Sequence, residues 1–199
     1  MTGTPTTDAP TESLSPERIT EVLRTAGHDV TVAGFDATRV GTGQMGANYR
    51  LHLDIDGDPG DVPASLVAKT AFGPPARRTI AAGSYRTEIA FYREISDRVA
   101  ARVPEFWGAW TNDDCTDFVL LLEDLAPRVQ GDQIDGCTVD QAALAAVNLA
   151  GLHGPLWSDP WLTGHLTPFD EAQGTDLDGV FPAMVEMFLQ RFRDRLSSE

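Results

Sequence analysis

The run Gly41-Thr42-Gly43-Gln44-Met45-Gly46 sets the tightest limit on what this chain can fold into. In a dinucleotide-binding domain a G-x-G-x-x-G run leaves a strand and opens a helix, whose N-terminus takes a pyrophosphate. Here the next residues, Asn48-Tyr49-Arg50-Leu51-His52-Leu53, alternate, and Tyr49, Leu51, Leu53 and Ile55 stand at every second position. A period of two marks a half-buried strand, not a helix. Val30 to Val40, before the glycines, is strand-like as well. The glycines therefore fall in a hairpin. Small residues there let backbone N–H groups approach phosphate oxygens from above.

Lys69 sharpens that reading. It lies in the apolar segment Leu66–Phe72, with Val67 and Ala68 before it and Ala71 and Phe72 after. An ammonium in such a strand must snorkel outward or find an anion. Phosphates under a glycine hairpin are one such anion, and a carboxylate is needed to hold the lysine in place. Glu88 follows 19 residues later on an amphipathic helix. Glu94 is its rival as partner. Further on, Leu120-Leu121-Leu122-Glu123-Asp124-Leu125 is a buried strand that breaks into acidic residues before Pro127. Such a break suits a hinge whose backbone groups pair with an adenine edge.

The remaining segments give the fold class. Ser15 caps a short helix with Pro16 at its first position and an apolar stripe of Ile19, Val22 and Leu23, ended by Gly27. Arg77 to Arg102 reads as one long helix on which Tyr85, Ile89, Tyr92, Ile95 and Val99 share a face, stopped by Pro104. Phe106–Trp110 and Phe118–Leu122 read as strands joined by the turn Asn112-Asp113-Asp114. Five strands with one helix between the third and fourth make an α+β layout. Thr138 and Gln141 form a capping box for a helix to about His153. A last helix carries Phe181, Met184, Val185, Phe188, Leu189, Phe192 and Leu196 on one side. The acidic stretch from Asp54 to Asp61 has Ser65 where a calcium loop needs a glutamate, so it reads as a solvated turn. The expected organisation is a disordered tail over 1–14, a nucleotide-holding lobe over 15–125 and a partial helical lobe over 126–199.

Composition closes off other classes. With 15 Lys+Arg against 30 Asp+Glu the formal net charge is −15, which repels nucleic-acid phosphates and tolerates a cationic substrate. The first 13 residues have neither a basic start nor an apolar stretch, and no apolar run reaches membrane-spanning length. Cys115 and Cys137 form no Cys-x-x-Cys pair and read as free, partly buried thiols, with a single disulfide between them as the alternative. These features point to a cytoplasmic protein without nucleic-acid or membrane partners.

In order and spacing these parts resemble the N-terminal lobe of the aminoglycoside phosphotransferase and choline-kinase-like superfamily, nearest the ecdysteroid-kinase-like branch. The resemblance runs over residues 30–160. It is carried by the stretch from Gly41 to Leu51, Leu66-Val67-Ala68-Lys69, Glu88-Ile89-Ala90-Phe91-Tyr92, Val103-Pro104, Leu121-Leu122-Glu123-Asp124-Leu125 and Leu149-Ala150-Gly151-Leu152-His153. It implies a protein-kinase-like fold with a five-stranded antiparallel sheet. It also implies transfer of the γ-phosphoryl group of ATP to a hydroxyl of a small molecule. Lys69 then matches the phosphate-binding lysine and Glu88 its helix partner. Gly41, Gly43 and Gly46, with the backbone around Glu123 and Leu125, match the nucleotide clamp.

One departure limits the match. The family's His-Gly-Asp-type loop, its following asparagine and its magnesium-binding aspartate have no counterpart here. His153 is followed by Gly154-Pro155 and His165 by Leu166-Thr167, while His52-Leu53-Asp54 lies on a strand with Pro59 in the asparagine's place. Asp117-Phe118-Val119 precedes the hinge. No catalytic base or metal ligand is assigned, although the family uses Mg2+. The sequence thus reads as the ATP-holding half of a phosphotransferase, completed by a separate C-lobe chain or prone to self-association. The alternative is a non-catalytic nucleotide- or partner-binding pseudokinase module. An interrupted reading frame would leave the same residues.

Overall fold

The computed structural model describes residues 13–41, 43, 45–132, 134–165 and 171–195. Thr42 and Gln44 of the glycine run, the tail up to residue 12 and Leu196 lie outside the described residues. The chain divides into two compact units, Met1–Trp157 and Ser158–Glu199.

Five strands build the first unit: β1 (Thr31–Val40), β2 (Gly46–Asp56), β3 (Ser65–Ala71), β4 (Phe106–Thr111) and β5 (Phe118–Glu123). They form one sheet in the order β1-β2-β3-β5-β4. Every pairing is antiparallel. The glycine run joins β1 to β2 as a hairpin, so no helix begins there and the dinucleotide-binding arrangement is ruled out. The α+β reading of the sequence holds.

Both faces of the sheet are covered, and β5 shows why its sequence is apolar throughout. Side chains alternate across a strand. Val119 and Leu121 enter one core, with Tyr49, Leu51, Leu66 and the helix residues Ile19, Val22 and Leu23. Phe118, Leu120 and Leu122 enter a second, with Ala71, Ala81, Tyr85 and Ile89. A strand buried on both sides reads as a continuous apolar run. The first core is closed by α1 (Pro16–Thr25), whose cap Ser15 accepts a hydrogen bond from the Arg18 N–H at 3.2 Å. Ordered backbone precedes it: Leu14 is buried in the same core.

The second core is closed by α2 (Pro75–Glu94). The helix expected over Arg77–Arg102 is therefore shorter at its far end. Its last turn tightens into a 3-10 turn, Ser96–Arg98, and Val99 is extended at φ −103° and ψ 150°. Ser96 Oγ donates to the Tyr92 carbonyl at 2.8 Å, a local bond that competes with the helix ladder. The chain beyond is held instead by α3 (Val139–Leu156), through the Ala100 N–H to the Gly151 carbonyl at 3.0 Å and the Arg102 N–H to Asn148 Oδ1 at 2.7 Å. The Thr138–Gln141 capping box opens α3 in both directions. Pro155 sits inside α3, two residues beyond the expected end.

The second unit contains α4 (Pro160–His165) and α5 (Glu171–Phe192), followed by a 3-10 turn at Arg193–Arg195. Along α5 the large apolar side chains Phe181, Met184, Met187, Phe188 and Leu189 are exposed. Phe188 and Phe192, one turn apart, bring their rings to 4.9 Å. Of the two cysteines, both free, Cys115 is buried and Cys137 exposed, so only the first fits the partly buried reading.

Candidate functional site

Register decides where Lys69 points. It pairs with Asn48 on β2 and Leu120 on β5. Directly opposed residues share a face, and Leu120 belongs to the core under α2. Lys69 therefore rises toward that helix. Its Nζ donates to Glu88 Oε1 at 2.6 Å. The pair is 25% and 29% exposed, so it is reachable by a ligand while screened from bulk water on one side. Glu94, the rival carboxylate, does not take that place.

The glycine hairpin lies over this ion pair. A Cβ built on Gly46 would stand 3.0 Å from Lys69 Cε and 3.1 Å from the Thr70 carbonyl oxygen. A side chain there would press on both the lysine stem and the β3 backbone, which would have to give by a few tenths of an ångström. Gly41 leaves β1 with φ +72°, and Gly43 comes so near Gly46 that a Cβ there would meet its carbonyl. The hairpin is tied from below by Tyr85, one turn before Glu88 on α2. Its hydroxyl donates to the Met45 carbonyl, and its ring packs on Phe118 at 4.7 Å. Burial pushes the Tyr85 phenol pKa above its usual range. One face of α2 thus holds both Lys69 and the loop above it. Beside Glu88 the outer face of that helix forms an open, shallow surface depression lined by Ile80, Thr87, Phe91 and Tyr92, among others.

At its far end β5 runs out into the segment Asp124–Pro127, where the sequence places a hinge. The Glu123 N–H is occupied by the Glu105 carbonyl at 2.9 Å, and the Leu125 carbonyl accepts from the Arg128 N–H at 2.9 Å. The Glu123 side chain turns outward. Arg102 Nη2 donates to both its oxygens, at 2.6 and 2.7 Å, and the Glu105 N–H adds a third bond at 3.1 Å. The Arg102 guanidinium, before other causes, lowers the Glu123 pKa.

Asp124 has a role that the sequence pattern does not assign. Its carboxylate receives Arg50 Nε at 2.7 Å and Arg50 Nη2 at 2.9 Å, a two-pronged pair, together with Ser65 Oγ at 2.7 Å and the Ala126 N–H at 3.1 Å. Arg50 holds the Asp124 carboxyl down to about 2. A signal exists in Asn48-Tyr49-Arg50, where the arginine occupies a polar position of β2. Nothing local in sequence links it to a residue 74 positions away.

Gly41, Gly43, Gly46, Lys69 and Glu88 therefore converge at one end of the sheet, with Glu123 and Leu125 at the hinge. Among the described residues no group of three or more His, Cys, Asp or Glu side chains stands together as metal ligands. Also among the described residues, no helix is long and apolar enough to cross a membrane.

Two solved structures are similar to this chain. One is the GDP and kanamycin complex of APH(2")-IIia, at 17% identity and a TM-score of 0.48, over 88% of this chain and 55% of that one. The other is the GDP complex of a point mutant of aminoglycoside 2'-phosphotransferase-IIIa, at 16% identity and a TM-score of 0.47, over 90% of this chain and 55% of that one. The chain spans little more than half the length of either. No protein-family model matches the chain, and no curated protein matches it.

Proposed function

We propose that this chain holds a nucleoside triphosphate, ATP in the first instance, as the nucleotide lobe of a phosphotransferase that acts on a hydroxyl of a small molecule. The observation that carries the proposal is the Lys69–Glu88 pair at 2.6 Å under a glycine hairpin that Gly46 lets close onto it. An ammonium fixed by a carboxylate and roofed by backbone N–H groups meets the needs of α- and β-phosphates. The purine lies toward the hinge, against the Glu123 carbonyl and the Leu125 N–H. Mg2+ chemistry and the base that orients the attacking hydroxyl are given to no residue of this chain. The second reading is a nucleotide-binding module without chemistry of its own.

Calorimetric titration tests the site. Lys69→Ala is expected to weaken ATP binding about tenfold or more, and Glu94→Ala to leave it within about twofold, since one change removes a charge-assisted phosphate contact and the other does not. Equal affinities in the two variants would sink the assignment. GTP forms the second arm of the titration, because backbone groups of a hinge can face either purine.

A further inference from the structure

We propose that Arg50, Ser65 and Asp124 form a positioning device for the purine end of the nucleotide cleft, acting through the backbone of the hinge. This rests on the nucleotide-holding reading above and assigns the side chains that set its base-binding half. The inference starts from the geometry of Asp124. Its side chain is only 9% exposed. It nevertheless accepts four hydrogen bonds, which fill the capacity of two carboxylate oxygens.

Those bonds reach three elements. Arg50 comes from β2 and Ser65 from the start of β3, while the Ala126 N–H belongs to the hinge itself. The Ala126 bond fixes the turn after Asp124. The Arg128 N–H fixes the carbonyl of Leu125 from the other side, at 2.9 Å. Both bonds hold the peptide between Leu125 and Ala126, while Arg50 and Ser65 anchor the Asp124 side chain on the other flank of Leu125, so the direction of the Leu125 N–H is set by groups that never touch a ligand. Glu123 is held separately by Arg102 and Glu105. Both acidic side chains of the hinge are thus spent on structure, and its backbone is what faces the cleft chemistry. A planar guanidinium suits this task because its fork fixes angle as well as distance.

A device that sets only the base-binding backbone should discriminate between the two ends of the nucleotide. ATP engages both ends, whereas inorganic tripolyphosphate engages only the glycine hairpin and Lys69. Titration of residues 1–199 and its variants with each probe reads the difference. Asp124→Asn is expected to raise the ATP dissociation constant about tenfold and leave that of tripolyphosphate within about twofold. Arg50→Lys keeps the charge and loses the fork, and should move ATP the same way by about threefold. Ser65→Ala removes one bond and carries the test if either of the other variants fails to fold; about a twofold effect on ATP alone is expected. Lys69→Ala, in contrast, should weaken both probes.

A parallel loss of ATP and tripolyphosphate affinity would overturn the proposal, because it would signal general loosening of the sheet. Unchanged ATP affinity in all three variants, with Lys69→Ala still impaired, would overturn this proposal and leave the nucleotide site standing. Wild-type protein that binds neither probe would remove the nucleotide reading, and this inference with it.

Discussion

Asp124 carries the largest electrostatic consequence of any single residue in the hinge. Its folded pKa is lowered from 3.8 to about 2, chiefly by the Arg50 hydrogen bonds. A carboxylate with a depressed folded pKa contributes stability that is complete above its unfolded value and is lost as pH falls through the folded one. The window here is from about pH 4 to about pH 2, and the contribution is on the order of 2 kcal/mol. Acid unfolding followed by circular dichroism should therefore be less steep in Asp124→Asn than in wild type within that window, with the variant less stable at neutral pH. Coincident slopes would mean that the pair is not ionic in solution. Lys69 and Glu88 are legible in the sequence because an ammonium in an apolar strand and a carboxylate on the next helix each break a pattern. Asp124 breaks none. An acidic residue at a strand end is ordinary, and its partner Arg50 is equally ordinary on the polar face of β2.

At the scale of elements, the seam between α3 and the segment after α2 shows how two unpromising helix residues serve packing. A proline inside a helix leaves the carbonyl four residues earlier without its usual partner. In α3 that carbonyl is Gly151, and the Ala100 N–H takes it at 3.0 Å. Gly151 itself permits the approach: a Cβ there would lie 2.9 Å from the backbone of both Ala100 and Ala101. Gly154, in the same helix, has nothing within 4 Å of that position from any other element. Helix propensity favours Ala over Gly by about 1 kcal/mol at either site. Gly154→Ala should gain none of that, because Pro155 follows it and the proline ring crowds a Cβ on the residue before it, so a change within about 1 kcal/mol is expected. Gly151→Ala should destabilise it by about 1–3 kcal/mol, since backbone on the far side cannot give way. Urea denaturation of the two variants checks that Gly151→Ala costs the more. The capping box of α3 and the alternation of every strand are visible in sequence because both are local. The true end of α2 is not visible. Ile95 continues the apolar face, and what stops the helix is its own 3-10 turn together with the pull of Asn148 and Gly151 from a distant element.

For the molecule as a whole, the question is what the assembled parts can do in solution. Phosphoryl transfer needs the nucleotide held, its developing charge neutralised and the attacking hydroxyl oriented. The proposed site supplies the first of these through Lys69, Glu88 and the glycine hairpin. Neither a catalytic-loop motif nor a metal-binding aspartate is assigned anywhere in the sequence. Groups that act as a unit in catalysis are lost together, at a cost of several orders of magnitude in rate. Purified residues 1–199 should therefore show no substrate-dependent ADP release against a panel of aminoglycosides and choline, in a coupled assay with excess Mg2+. The same preparation should sediment above monomer mass. Phe181, Met184 and Phe188 are 63%, 53% and 51% exposed along α5, and a row of bare apolar side chains associates in water. Phe181→Ser with Phe188→Ser should shift the sedimenting species toward monomer without altering nucleotide affinity, because neither residue belongs to the nucleotide site. Turnover that depends on an added alcohol and vanishes in Lys69→Ala would place a base within this chain, and the search for it would begin at the acidic and histidine residues given no role above.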